Sequence, residues 1–229
     1  MMPSENVIQH ILQWDVNSWS KAFHFWEAQI EFNQISTALE LGGREGGLSL
    51  WLALNQKNVV CSDLFNTQKT ASPLHQKFNV SEFVHYQDID ASKIPYENHF
   101  DLIVFKSIIG GIGRNNNFQL QQQVFQQIHR ALKPGGKLLF AENLIASPLH
   151  QAFRKRFVQW GDSWRYVSQD ELKLFLKDFS SVQIKSNGVL ATFGRSENQR
   201  KFLSHLDNFL FNPIFPNSWK YIGYGVAVK

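Results

Sequence analysis

Cysteine is almost absent from this chain, since Cys61 is the only one among 229 residues. It lies inside a predicted strand, which excludes a disulfide framework and favours a reducing compartment. Long apolar runs are also missing, and none approaches the roughly 20 residues needed to span a bilayer. The N-terminus has neither the basic region nor the apolar region of a secretion signal. We therefore expect a cytoplasmic protein without a transmembrane segment.

Strong net charge and metal-ligand spacings are missing too. The formal charge of +4 is mild, and a solvated surface accounts for it more simply than a nucleic-acid-binding face. No group of histidine, cysteine and carboxylate residues has ligand spacing, so no metal is predicted. The chain does have a hydrophobic content of 43%, without an evident linker or repeat. This predicts one compact domain over residues 1–229.

The glycine-rich stretch after the first predicted strand is the most informative motif. The apolar run 37–41 predicts a strand, the glycines that follow predict a turn, and the apolar run 48–54 predicts a helix. Glycine lets the backbone turn sharply and lets a ligand approach without a Cβ in the way. The helix points free N–H groups and a partial positive charge at such a ligand. This order predicts a nucleoside-cofactor site.

Strands and helices then alternate along the chain. An amphipathic helix from Leu120 to Leu132 is predicted to stop at the Lys-Pro-Gly-Gly turn 133–136, and Ser168 begins another helix with a capping box. A further helix is predicted near 196–211. The predicted strands are 37–41, 58–62, 83–87, 100–105, 137–141, 181–185 and 221–228. Such alternation is typical of an α/β fold with a parallel sheet.

The glycine loop resembles that of a known family. Glu40, Gly42 and Gly46 form an E-x-G-x-x-x-G pattern, which does not fit the G-x-G-x-x-G spacing of dinucleotide-binding proteins. It is similar to the E/D-x-G-x-G-x-G loop of class I S-adenosylmethionine-dependent methyltransferases, with Arg44 in place of the middle glycine. The order F-D-L-I-V, helix, K-P-G-G, strand resembles the second half of the same fold.

The resemblance covers roughly residues 34–229 and implies a Rossmann-like architecture. The expected fold is a doubly wound, mostly parallel seven-stranded sheet with helices on both faces and an antiparallel C-terminal strand. Within it, 1–33 would be a helical lead-in, 34–145 the cofactor-binding half, and 146–229 the substrate-side helices and last strands.

The same resemblance implies S-adenosyl-L-methionine as the cofactor. Asp63, at the end of the second strand, is expected to accept hydrogen bonds from both ribose hydroxyls, or else to be the N-cap of the next helix. Asp90 and Ala91 match the family's adenine-contacting pair better than Asp88, whose other role is turn formation. The expected cofactor residues are Glu40, Gly42, Gly43, Arg44, Gly46, Asp63, Leu64, Asp90, Ala91 and Lys106.

The acceptor site is expected beyond the fourth and fifth strands. The candidates for catalysis there are His150, Glu142 and Lys106. The ordinary pKa of histidine suits proton transfer, but His150 is also expected to be solvent-exposed. Lys106 is expected to hold an anionic acceptor, to orient a hydroxyl, or to form an ion pair with Glu142. The run 110–113, Gly-Gly-Ile-Gly, is interpreted as a lid or as an ordinary loop.

Three more segments each have two interpretations. The basic segment 154–156, with aromatic neighbours, indicates an amphipathic helix over the active site, or a surface for bases or an anionic membrane. Trp164 and Tyr166 are expected to pack on the core, or to stack on a sugar or aromatic acceptor. The lead-in is expected to cover the active site or a partner subunit, and the second interpretation implies a homodimer. Its aromatic residues are Trp14, Trp19, Phe23, Phe25 and Trp26.

We therefore predict an S-adenosylmethionine-dependent methyltransferase that O-methylates a hydroxyl of a small-molecule acceptor. Resemblance to enzymes of bacterial surface-polysaccharide and metabolite pathways makes a sugar hydroxyl one candidate. The N-P-P-Y-type motif for amino groups of bases is absent, which argues against nucleic acid, with an amine or RNA acceptor as an alternative. Because fold alone does not decide function, a non-catalytic cofactor-binding scaffold, which Arg44 suggests, and a dehydrogenase also stay open.

Overall fold

The computed structural model describes residues 3–158 and 163–229 and contains one seven-stranded sheet. The strands are β1 Thr37–Leu41, β2 Asn58–Asp63, β3 Val84–Asp88, β4 Phe100–Lys106, β5 Leu132–Asn143, β6 Ser181–Asn187 and β7 Ile222–Val228. Their order is β3-β2-β1-β4-β5-β7-β6. The first five strands pair in parallel, whereas β7 runs antiparallel to both β5 and β6. The predicted doubly wound fold is confirmed.

Helices cover both faces of this sheet. They are α1 Glu5–Leu12, α2 Val16–Glu27, α3 Gly47–Leu54, α4 Thr67–Lys77, α5 Ile109–Ile112, α6 Phe118–Ala131, α7 Pro148–Phe157, α8 Gln169–Phe175, α9 Glu197–Leu206 and α10 Asn212–Ile214. A π-helical turn, Asp207–Phe211, joins α9 to α10. Successive strand residues point to opposite faces, so Ala38 packs with α1, α2 and α3 while Leu39 packs with α6 and α8.

The N-terminal lead-in is part of the core. Trp19, Phe23 and Trp26 lie on one face of α2 and are fully buried. The Phe23 ring centroid is 5.0 Å from that of Trp51, and Nε1 of Trp26 donates to the Gly225 carbonyl over 3.1 Å. Burying an aromatic side chain of this size contributes on the order of 2 kcal/mol. These side chains therefore belong to the core of this chain and not to a subunit interface.

The Lys-Pro-Gly-Gly segment 133–136 differs from the prediction. The helix before it stops as expected, but β5 already begins at Leu132, which pairs with Phe100. The next four residues leave the ladder, with Gly135 at φ 76°, and regular pairing resumes at Lys137. The predicted turn is therefore an irregularity inside β5, because Leu132 pairs with β4 before the chain turns away.

The predicted capping box at the start of α8 is confirmed. The Ser168 side chain accepts a hydrogen bond from the Glu171 N–H over 3.1 Å, and the Glu171 carboxylate accepts one from the Ser168 N–H over 2.8 Å. These two bonds satisfy free donors at the N-terminus of the helix. The capping box thereby stabilises the start of the short α8, which packs against α6.

Candidate active site

The loop between β1 and α3 contains three left-handed backbone positions. Gly42, Arg44 and Gly46 have φ angles of 64°, 51° and 76°. A Cβ on Gly42 would lie 2.4 Å from Cγ2 of Ile108, and one on Gly46 would lie 2.5 Å from Cε1 of His75. Glycine is therefore needed at both positions for conformation and for space. Arg44 has a left-handed backbone, which glycine adopts without strain, and its side chain is exposed.

Glu40 lies behind this loop and not in an open cleft. It is 3% exposed, and its carboxylate accepts hydrogen bonds from the N–H groups of Leu48 over 3.1 Å and Ser49 over 2.8 Å. These are free donors of the first turn of α3. Burial raises the pKa of Glu40 to about 7. Glu40 therefore fixes the glycine loop to the helix that follows it.

Asp63 ends β2 beside the glycine loop. Its Oδ2 accepts a hydrogen bond from the Arg44 N–H over 2.9 Å, and its Oδ1 accepts one from the Leu64 N–H over 2.6 Å. The N-cap of α4 is Asn66, so the alternative role of Asp63 as N-cap is wrong. Leu64 and Phe65 are 49% and 71% exposed. Exposed apolar side chains beside a carboxylate indicate a ligand-binding surface.

The two aspartates at the end of β3 have different surroundings. Asp88 accepts hydrogen bonds from the N–H of Thr67 over 2.9 Å and from its hydroxyl over 2.7 Å. These bonds lower the pKa of Asp88 and hold the first turn of α4. Asp90 is exposed, ahead of the half-buried Ala91, and its Oδ1 accepts from the N–H and the hydroxyl of Ser92. Asp88 thus has a structural role, whereas Asp90 is exposed and uses only Oδ1 in these bonds.

Lys106 ends β4 and holds the lead-in across the carboxyl edge of the sheet. Its Nζ donates to the Leu12 carbonyl over 2.7 Å and lies 3.9 Å and 4.8 Å from the ring centroids of Trp14 and Trp19. Among the residues that the structure describes it forms no ion pair, so the expected pair with Glu142 is wrong. Burial lowers the pKa of Lys106 to about 7.

Glu142 lies at the end of β5 and is fully buried. Its Oε2 accepts a hydrogen bond from the Ile109 N–H over 2.7 Å, and its Oε1 accepts one from the Asn143 N–H over 3.0 Å. Nδ2 of Asn143 donates in turn to Oγ of Ser107 over 2.6 Å. Burial raises the pKa of Glu142 to about 7. The carboxylate therefore ties the start of α5 to β5.

The helix α5 replaces the predicted lid or loop. A Cβ on Gly110 would lie 1.7 Å from Nε1 of Trp164, and one on Gly111 would lie 3.0 Å from the same ring. The Arg165 N–H donates to the Gly110 carbonyl over 3.0 Å. The indole therefore packs directly on the backbone of α5, which only glycine permits. The segment is helical because Trp164 and Glu142 hold it from two sides.

His150 is buried, so the expected exposure is wrong. It is 1% exposed, and its Nε2 lies 2.7 Å from the Val189 carbonyl oxygen, which makes Nε2 the donor. Its Nδ1 then accepts from the Ser147 hydroxyl over 2.6 Å. Burial lowers the pKa of His150 to about 4. Both ring nitrogens are used inside the protein, where they tie α7 to the segment that precedes α9.

A cleft of about 290 Å³ lies among the segments that follow β4 and β5 in the chain. Arg154 in its wall is 5% exposed, donates to the Leu144 carbonyl over 2.6 Å, and lies 3.9 Å over the ring of Tyr166. Aromatic, guanidinium and amide groups line the cleft, and none of its described lining residues is a carboxylate. The lining residues are Asn116, Ile145, Gln151, Arg154, Lys155, Ser163, Trp164, Arg165 and Tyr166.

The part of the chain that the structure describes contains no candidate metal centre. Within 3–158 and 163–229, no three His, Cys, Asp or Glu residues come together as a metal-binding group. No described helix is long and apolar enough to cross a membrane. The Cys61 thiol is buried, which raises its pKa.

A comparison with known protein families agrees with this geometry. Residues 39–140 match the model of a family described as a methyltransferase domain. The matched range contains the glycine loop, Asp63, Asp90 and β4. This part of the chain is therefore similar to a methyltransferase domain. No curated protein matches the chain in sequence.

Solved structures resemble this chain in fold. Phosphoethanolamine N-methyltransferase 2 of Haemonchus contortus, in complex with S-adenosyl-L-methionine, is 17% identical with a TM-score of 0.68, over 98% of this chain and 56% of that one. An O-methyltransferase family protein from Burkholderia thailandensis is 12% identical with a TM-score of 0.63, over 92% and 56%. A SAM-dependent methyltransferase from Methanosarcina mazei is 15% identical with a TM-score of 0.61, over 90% and 96%.

The lengths of these proteins limit the comparison. The chain spans little more than half of the first two and nearly all of the third. Identities this low establish the fold, whereas chemistry has to be argued from the site.

The sequence patterns did not single out one buried polar residue near the candidate site. Gln121 is fully buried on α6, and its Nε2 donates to the carbonyls of Ile109 over 2.8 Å and Arg165 over 2.9 Å. It joins α5 to the segment that carries Trp164. Its position in the sequence indicated burial, because Gln121 falls on the same face of the predicted helix as the apolar residue Val124.

Proposed function

We propose that the chain is an S-adenosylmethionine-dependent methyltransferase that acts on a small-molecule acceptor. The observation that carries this proposal is Asp63, bonded to the Arg44 backbone and followed by the exposed Leu64 and Phe65. A carboxylate offers the acceptors that a ribose diol needs, and the apolar pair offers a surface for adenine. The site lies near the point where the strand order reverses, between β1 and β4, which is where open α/β sheets bind ligands.

The expected cofactor residues have two roles in this proposal, contact with the cofactor and positioning of the glycine loop. We assign contacts to the loop backbone at Gly42, Gly43, Arg44 and Gly46, and to the side chains or backbone of Asp63, Leu64, Asp90 and Ala91. Glu40 is assigned a positioning role, because its carboxylate is used by α3. S-adenosylmethionine supplies an activated methyl group when bound, and the chain then has to orient the acceptor and exclude water. In this proposal the whole chain is one domain, with 34–145 on the cofactor side and 146–229 on the acceptor side.

We place the acceptor in the cleft of about 290 Å³, and we propose that a hydroxyl is methylated. Trp164 and Tyr166 offer ring faces on which a sugar or aromatic ring stacks. A hydroxyl has to lose its proton, and of the three candidates we retain Lys106 as the proton acceptor, because it is only half-buried whereas Glu142 and His150 are fully buried. A pKa of about 7 leaves part of its amine neutral at neutral pH. Glu142 and His150 are used inside the protein by α5 and α7.

Binding of S-adenosylhomocysteine, measured by calorimetry, tests the cofactor assignment. We expect micromolar affinity, weakened at least about tenfold by Asp63→Ala because the charge-assisted hydrogen bonds are lost. Asp170→Ala is the matched control, since Asp170 is an exposed carboxylate paired with Lys173 on α8. No binding, or competition by NAD instead, contradicts the cofactor assignment.

Transfer of label from methyl-labelled S-adenosylmethionine tests the reaction. The panel contains free sugars, nucleotide sugars and phenols as hydroxyl acceptors, with small amines and tRNA for comparison. We expect labelled product from a hydroxyl compound. Label on amines or tRNA alone contradicts O-methylation, and binding without any transfer favours a cofactor-binding scaffold.

A further inference from the structure

The helix α7 carries an apolar stripe on its exposed side. Leu149, Phe153 and Phe157 are spaced four residues apart, which places them on one helix face. Leu149 and Phe157 are 66% and 60% exposed. The ring of Phe153 lies 5.0 Å from that of Phe157 and 5.0 Å from that of Phe193, between centroids. The stripe therefore continues from α7 to the segment before α9.

The helical run from α9 to α10 carries further exposed apolar side chains. Phe193 and Phe202 line one groove of about 460 Å³, and Phe202 is 64% exposed. Further along the same helical run, Phe209, Leu210 and Ile214 are 88%, 45% and 68% exposed. Large apolar side chains are ordinarily exposed singly, so a concentration of this kind marks an interaction surface. The α7–α9 surface comprises Leu149, Phe153, Phe157, Phe193, Phe202, Phe209, Leu210 and Ile214.

Basic residues border this surface. The segments 144–158 and 193–220 contain seven lysines and arginines but only two acidic residues. Glu197 pairs with Arg200 over 2.7 Å, and Asp207 is buried, where it accepts hydrogen bonds from backbone N–H groups. The acidic groups are therefore neutralised or hidden, and the aromatic residues have positive neighbours. The exposed basic residues are Lys155, Arg156, Arg195 and Lys201.

We propose that the α7–α9 surface docks on an anionic lipid bilayer. Aromatic side chains enter the boundary between headgroups and acyl chains, and basic side chains interact with anionic headgroups, as in interfacial amphipathic helices. The positive charge of this surface favours an anionic bilayer as its partner. A second copy of the chain would bring two basic surfaces face to face, which like-charge repulsion opposes. The proposal adds a membrane-surface location to the chain and does not depend on methyl transfer.

Co-sedimentation of the full chain with lipid vesicles tests the proposal. We expect binding to phosphatidylcholine vesicles that contain phosphatidylglycerol, no binding to phosphatidylcholine alone, and release at high salt because screening weakens the attraction. Lys155→Glu with Lys201→Glu should weaken binding at least about tenfold, since one basic residue near an anionic surface contributes about fivefold. Phe157→Ser with Phe209→Ser should reduce the bound fraction similarly.

Leu174→Ser is the matched control, because Leu174 is 47% exposed on α8, outside the α7–α9 surface. It should bind like the unmodified chain. Equal binding to both vesicle types, binding to neither, or an equal loss in Leu174→Ser overturns the proposal. A dimer in sedimentation velocity that the two phenylalanine substitutions abolish would assign the surface to a second copy instead. Thermal unfolding checks that these exposed substitutions leave the fold intact.

Discussion

The backbone N–H of Arg44 donates to Oδ2 of Asp63 over 2.9 Å, and this bond joins the glycine loop to the end of β2. Arg44 makes the bond with a left-handed backbone, at φ 51°, while its side chain stays exposed. Arg44, which stands where the family pattern has glycine, therefore has a backbone conformation that glycine adopts without strain. The loop depends on the conformation at this position more than on the absence of a side chain.

Two substitutions of Arg44 separate conformation from side chain. Arg44→Gly keeps the N–H and adopts a positive φ without strain, so we expect affinity for S-adenosylhomocysteine within a few-fold of the original. Arg44→Pro removes the N–H and fixes φ near −65°, so affinity should fall at least about tenfold and stability by more than about 1 kcal/mol. Calorimetry and urea unfolding measure both. Normal binding by Arg44→Pro would show that the bond to Asp63 is dispensable.

The pH dependence of turnover tests Lys106 as the proton acceptor. Burial lowers the pKa of this amine to about 7, so the active neutral form should increase as the pH rises through 7. Lys106→Met should lower kcat about a hundredfold or more while S-adenosylhomocysteine binding persists. Lys106→Arg keeps a donor for the Leu12 carbonyl and a cation beside Trp14, but it stays protonated. If Lys106→Arg is fully active, the residue only holds the lead-in.

The lowered pKa of Lys106 also predicts how stability depends on pH. The folded amine loses its proton near pH 7, whereas the unfolded amine keeps its proton up to its ordinary value of 10.5. The unfolded chain therefore binds more protons between these values, and the contribution of Lys106 to stability rises with pH. Urea unfolding of the original chain and of Lys106→Met at pH 7 and pH 9 measures this. The free energy of unfolding of the original chain, relative to that of Lys106→Met, should be larger at pH 9 than at pH 7. A pH-independent difference would contradict the shifted pKa.

Local sequence patterns predicted the succession of strands and helices along the chain and the position of Asp63, because strand, glycine turn and helix signals act within a few residues. The contacts that fix the roles of the candidate bases are long-range. Lys106 and Leu12 are 94 positions apart, and His150 and Val189 are 39 apart. Nothing in the neighbourhood of either residue specifies such partners, so exposure and ion pairing were predicted wrongly there.

Acidification should reveal the buried state of His150. The pKa of His150 is about 4 in the folded chain, and its ordinary value is 6.5. Between these pH values only the unfolded chain binds the proton, so stability falls as the pH falls from 6.5 to 4. His150→Gln cannot bind this proton. The difference in unfolding free energy between the original chain and His150→Gln should therefore be about 2 kcal/mol smaller at pH 5 than at pH 7. Urea unfolding at both pH values measures it. A difference that does not change with pH would show that the imidazole is already protonated or accessible.

Gly110 offers a test of how the acceptor side is built. Alanine usually stabilises a helix relative to glycine by about 1 kcal/mol, but a Cβ here would lie 1.7 Å from Nε1 of Trp164. Gly110→Ala should therefore destabilise the protein by about 1 to 3 kcal/mol and alter tryptophan fluorescence. Gly111→Ala, where the nearest ring atom is 3.0 Å away, should cost less.

Trp164→Ala completes this comparison as a double-mutant cycle. If the indole alone excludes a side chain at Gly110, then Gly110→Ala should cost nothing once the ring has been removed, and it should even stabilise α5. A cost that persists without the indole would place the constraint in the backbone of α5 instead. Because Trp164 also lines the cleft, its removal should raise KM for the acceptor while affinity for S-adenosylhomocysteine stays unchanged. Loss of both affinities together would mean that Trp164 supports the whole site and not the acceptor side alone.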